Sequence, residues 1–131
     1  TIEGFRMPNM ATFDKSLIKK AGYVYDSSIN PTYLPGKYNY LSSPIVPYSL
    51  EGIIEIPASV VPYIRVPLFW LSFKNFPLSL YIKLCNFTLA QTGFLNLYFH
   101  PREFADLQKF KIPAKVKVFK LANFKVPQSM W

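Results

Sequence analysis

The chain has 131 residues and a net charge of +8, and it is 50% hydrophobic and 18% aromatic. That length suits one ordinary domain, and the apolar share excludes a disordered chain. No apolar run is long enough for a membrane-spanning helix, since the stretches at 66–71 and 78–84 are interrupted by Pro, Lys and Asn.

Residues 9–22 read as a helix. Asn9 or Thr12 caps it, Met10, Phe13, Leu17 and Ala21 share one face, and Gly22 ends it. Tyr23-Val-Tyr-Asp-Ser-Ser then reads as a short strand. Helix, glycine, strand is a step of a layered or barrel α/β fold. Residues 30–50 interleave Pro31, Pro35, Pro44 and Pro47 with Tyr33, Tyr38, Tyr40 and Tyr48. Each proline removes a donor and fixes φ, so an irregular aromatic loop is expected. It either stacks on sugar rings or packs over an apolar edge. Gly52-Ile-Ile-Glu-Ile-Pro reads as a strand ended by Pro57, and residues 60–77 as a second aromatic, proline-punctuated stretch with Phe69, Trp70, Phe73 and Phe76. Pro77 opens a helix through Leu78, Tyr81, Ile82, Cys85 and Leu89 to Gln91, and Gly93 ends it. Leu95-Asn-Leu-Tyr-Phe-His reads as the next strand.

Cys85 is the single cysteine, which excludes an internal disulfide and a cysteine-built zinc site. On the apolar face of its helix it reads as an inert core thiol, because a thiolate nucleophile needs a basic partner. Lysines 109, 111, 115, 117, 120 and 125 crowd the last quarter, and Lys115-Val-Lys-Val-Phe-Lys reads as an edge strand with lysines outward. Such a tail is either a solvated face or, with Phe110, Phe119 and Phe124, a surface for an anionic partner such as nucleic acid. No nucleic-acid motif accompanies it, so nucleic acid is not the favoured partner. The chain opens Thr1-Ile-Glu-Gly-Phe-Arg, with neither an initiator Met nor a basic-then-apolar leader, so no signal peptide is expected in it.

Three pieces carry chemistry: Gly4-Phe-Arg-Met-Pro-Asn, Gly22-Tyr-Val-Tyr-Asp-Ser-Ser-Ile and Tyr98-Phe-His-Pro-Arg-Glu. Each is expected at the C-terminal end of a strand, where α/β barrels collect catalytic groups. An aspartate accepting from one ring nitrogen of a histidine fixes its tautomer, and the other nitrogen then works as a general acid. Taken singly the pieces are ordinary: a strand-end His is structural, an Asp after a strand is a turn or cap residue, and an Arg near the start is solvated.

In this order, with Gly52-Ile-Ile-Glu-Ile-Pro-Ala-Ser between them, the pieces resemble the polysaccharide deacetylases of the NodB-homology superfamily, a group of carbohydrate esterases. The likeness spans residues 4–108. It implies an α/β fold, the C-terminal half of a distorted (β/α) barrel. Residues 1–108 would then be the C-terminal part of a catalytic domain, and 109–131 a basic tail or edge segment. It also implies a metal-dependent hydrolase that removes acetyl groups, N-acetyl foremost, from a sugar or polysaccharide, with zinc as the usual divalent metal. By that likeness His100 is the general acid and Asp26 orients it. Arg6 pairs with the base aspartate and holds it ionised, and the backbone N–H of Asn9 helps hold the oxyanion. Tyr98 and Arg102 would bind substrate, with Arg102 standing where the family has a tryptophan and either favouring an acidic sugar or simply being tolerated as an exposed residue.

The family's base and metal ligands sit in an Asp-Asp pair and a His-x-x-x-His that precede the Arg motif. Here the chain begins three residues before Gly4 and holds one His and seven acids, against the roughly three ligands a catalytic zinc needs. The metal ligands are therefore expected outside this chain, which alone should be inactive and should partner the N-terminal half of the same domain or another chain. A half-barrel would expose a strand edge through which copies can associate, and its uncovered faces would account for the high apolar share. The alternative is a non-catalytic carbohydrate-binding remnant that uses the aromatic loops.

Overall fold

In the computed structural model, residues 2–10 and 13–100 are described. Strand β1 (Gly4–Phe5) runs into a single 3₁₀ turn at Pro8–Met10, followed by helix α1 (Lys15–Lys20) and strand β2 (Tyr25–Asp26). Next come β3 (Tyr33–Leu34), β4 (Tyr38–Asn39), β5 (Tyr48–Leu50) and β6 (Ile53–Glu55), then helices α2 (Trp70–Asn75) and α3 (Leu78–Thr92). The main sheet has the order β1-β2-β6-β5. Its first three strands are parallel, with Phe5 opposite Asp26 and Asp26 opposite Glu55, and β5 closes it antiparallel. The described residues are thus a mixed α/β arrangement around an open sheet. No barrel closes among them, and β1 is paired on one side only.

Helix α1 is shorter than the sequence reading. Its cap is Asp14, whose carboxylate accepts from the Ser16 amide at 2.9 Å, in place of Asn9 or Thr12. It also faces the other way: Lys15 and Ile18 are buried, while Leu17 is 58% exposed. Placing apolar residues inward misreads this helix because Lys15 has two carboxylates to reach. Gly22 ends the turn at φ +88°, a conformation side chains resist.

The proline-rich stretch 30–50 is less irregular than expected. A hairpin of two-residue strands, β3–β4, fits between Pro31 and Pro44 with Pro35 and Gly36, at φ +73°, in its turn, because strands this short need no donor from the prolines around them. Helix α3 matches the sequence reading closely. Pro77 caps its start, and Gly93, left-handed at φ +65°, donates its N–H to the Leu89 carbonyl at 2.8 Å. Val61, Leu68, Phe73, Tyr81 and Cys85 form the core between the 60–70 segment and α3, so Cys85 is buried as expected.

Residues 95–100 do not form the expected strand. The backbone there is tied down by Asn96. The Asn96 carbonyl accepts from the Ser59 amide at 2.9 Å, and the Asn96 amide donates to Ser59 Oγ at 2.7 Å. Its side-chain amide reaches the carbonyls of Ile56 and Pro57 and the Ser27 hydroxyl. Side-chain bonds to the backbone replace a ladder beside Pro57, which has no N–H to donate. The lysine-rich segment 109–131 and Arg102 lie outside the described residues.

Candidate functional site

Parallel strands present their C-terminal ends on one side of a sheet, and ligands of α/β folds bind there. Here those ends carry Arg6 after β1, Asp26-Ser27-Ser28 at and after β2, and Glu55-Ile56-Pro57 at and after β6. The Ser27 amide donates to the Phe5 carbonyl at 2.9 Å and the Ile56 amide to the Asp26 carbonyl at 2.7 Å, which fixes the three ends in register. A cavity of about 420 Å³ opens between them, lined by Phe5, Arg6, Ser27, Ile56 and Asn96 among others.

Arg6 is the hub. Its Nη2 donates to Ser27 Oγ at 2.5 Å, and its guanidinium carbon lies 4.7 Å from the centre of the Tyr98 ring. The Tyr98 ring in turn stacks on Phe69 at 5.2 Å and 5°. A planar guanidinium suits such stacking. Nη1 is buried and has no hydrogen-bond partner among the described residues. Burial pushes the Arg6 pKa down, while Tyr98, Asp26 and Glu55 push it back up.

Beneath Arg6 lies a buried ion cluster. The Lys15 ammonium donates to Asp26 and, at 2.7 Å, to Glu55. Asp26 and Glu55 are 0% exposed. Asp26 also accepts from Ser28 Oγ at 2.6 Å, and Glu55 from the Ile29 amide at 2.9 Å. Burial alone lowers the Lys15 pKa, but its hydrogen bonds to both carboxylates outweigh that, and the net direction is up. For Glu55 the desolvation dominates, and its pKa lies above the ordinary glutamate range despite Lys15.

The residues singled out by sequence divide as follows. Arg6 and Tyr98 meet. Asp26 ends β2 as expected, but its partners are Lys15 and Ser28, and no hydrogen bond joins it to His100 among the described residues. His100 is exposed, its ring centre 6.5 Å from that of Trp70. The backbone of Asn9 lies in the 3₁₀ turn directly after Arg6 and Met7. Lys15, Ser27, Ser28, Glu55 and Asn96 were missed. The strand Ile53–Glu55 did signal Glu55, since alternation puts it on the same face as the buried Ile53.

The donor set does not fit a divalent metal. Among the described residues no three His, Cys, Asp or Glu side chains come together, and the paired carboxylates of Asp26 and Glu55 are already bridged by an ammonium. No described helix is long and apolar enough to cross a membrane.

The buried tyrosines and Lys15 set a pH limit on stability. Burial raises Tyr38, Tyr40 and Tyr48 above 10.0, and Tyr81 and Tyr98 further. Lys15 stands above 10.5. A folded-state pKa above the unfolded one contributes stability in full below the unfolded value, and that stability is lost as pH rises through the folded value. All six groups share that sign. Thermal melts should therefore show a Tm that starts to slip above about pH 9, where the buried Cys85 thiol is also held up by burial, and falls steeply beyond about pH 10. A Tm still level near pH 11.5 would contradict these environments.

Compared with protein-family models, curated proteins and solved structures, the chain matches none.

Proposed function

We propose that the chain is part of a carbohydrate deacetylase that removes acetyl groups, N-acetyl foremost, from a sugar or polysaccharide. One observation supports the reading above the rest: pieces from all three motifs gather on Arg6, which bonds Ser27 and lies on Tyr98. Among the described residues, the open side of β1 and the unpartnered Nη1 of Arg6 agree with it. In this reading further chain lies beside β1, and Nη1 receives the carboxylate of the base aspartate. The metal ligands lie outside the described residues.

Three residues of this chain then have roles, one of them on the leaving nitrogen of the amide. His100, exposed and tilted against Trp70, gives its proton to the amine nitrogen as the C–N bond breaks, and takes another from water. The N–H of Asn9, in the turn after Arg6, donates to the carbonyl oxygen as it gains charge. Arg6 holds the base ionised.

The test is acetate release from N-acetylated chito-oligosaccharides by the protein made from its native gene. His100→Ala should lower kcat about 10²–10⁴-fold, the usual size of a general-acid contribution. Unchanged turnover would remove His100 from the mechanism, and an unvaried protein that releases no acetate would remove the deacetylase reading.

A further inference from the structure

We infer that Asp26-Ser27-Ser28 is a clamp for Arg6, anchored by Lys15, and that Asp26 acts as a positioning residue for the loop after β1 rather than as the partner of His100. The contacts form a continuous relay. Lys15 donates to Asp26, which accepts from Ser28 Oγ at 2.6 Å. Ser28 Oγ accepts from the Met7 amide at 2.8 Å. Met7 is the neighbour of Arg6, whose Nη2 meets Ser27 Oγ at 2.5 Å. Ser27 spends its own proton on the Ile56 carbonyl at 2.6 Å, so its lone pairs face the Arg6 and Asn96 donors.

The three consecutive residues thus have three tasks. Ser27 holds the guanidinium, Ser28 holds the backbone beside it, and Asp26 orients the Ser28 hydroxyl so that its lone pair meets the Met7 N–H. Asp26 is fully buried and Glu55 is its acidic neighbour across Lys15, so the ammonium keeps both acids in place. His100 stands at the exposed end of another segment, against Trp70. The inference rests on the deacetylase reading only in treating Arg6 as the group worth holding. Its test involves no turnover and stands apart from that reading.

The test uses nuclear magnetic resonance on the full chain. Ser28→Ala should speed exchange of the Met7 amide about fivefold or more, the worth of one hydrogen bond, while the Cys85 amide in α3 keeps its rate. Ser28→Thr should restore Met7. An unchanged Met7, or Met7 and Cys85 rising together, would overturn the clamp. His100 is the sole histidine, so its ring resonances are read without ambiguity. They should keep their positions in Asp26→Asn, whereas a displacement of the His100 ring resonances with the Met7 amide unchanged would restore Asp26 as its partner.

Discussion

Lys15→Met is expected to cost about 3–5 kcal/mol of stability at neutral pH, the usual price of leaving one side of a buried ion pair unmatched. Asp26 and Glu55 are 0% exposed and share this one ammonium. Met keeps much of the aliphatic stem, so the loss is charge and hydrogen bonding rather than packing. The effect should depend on pH in a definite direction. Without the ammonium, the two acids fold only after taking up protons, so their folded pKa values rise above the unfolded ones. The variant's penalty should then shrink as the pH falls toward the carboxylate range. Replacing the acids as well, with Asp26→Asn and Glu55→Gln, should recover part of the loss. Urea unfolding at two pH values measures all of this. A penalty below about 1 kcal/mol would mean that the cluster is solvated.

Leu68→Ala should cost about 2–5 kcal/mol, the range for emptying a packed aliphatic site. Leu68 is 0% exposed and sits in the cluster with Val61, Phe73, Tyr81 and Cys85. Its backbone is fixed on both sides, its amide to the Ser59 carbonyl at 2.9 Å and its carbonyl to the Tyr81 hydroxyl at 3.3 Å. The site therefore has little freedom to collapse around the missing methyls. Leu80, 43% exposed on the same helix that covers this core, is the control, and Leu80→Ala should fall within about 0.5 kcal/mol. Equal losses at the two positions would mean that the core is not where the described packing puts it.

What was legible in the sequence follows a physical line. Helix α3 was readable because its signals are local: Pro77 at the start, an apolar spacing, and Gly93 taking the left-handed turn at the end. The strand ends at Arg6 and Asp26 were readable from glycine and proline spacing and from the family-like pieces. Helix α1 was misread because its inward lysine is decided by two acids distant in sequence, at 26 and 55. The 95–100 segment was misread for a similar reason, since it reads as a strand by itself but the bonds of Asn96 to Ser59, Ile56 and Pro57 are long-range. Serines carry no pattern of their own, and Ser27 and Ser28 become meaningful only once β1 and β2 lie side by side.

Arg6 is the point where the three motif pieces meet, and proton–proton contacts measure that directly. In spectra of the full labelled chain, the Arg6 side-chain protons should show cross-peaks to the Tyr98 ring and to the Ser27 side chain, given a guanidinium 4.7 Å from the ring centre and 2.5 Å from the hydroxyl. Arg6 resonances with cross-peaks to neither residue would separate the first motif from the other two. The site described at the ends of β1, β2 and β6 would then not exist.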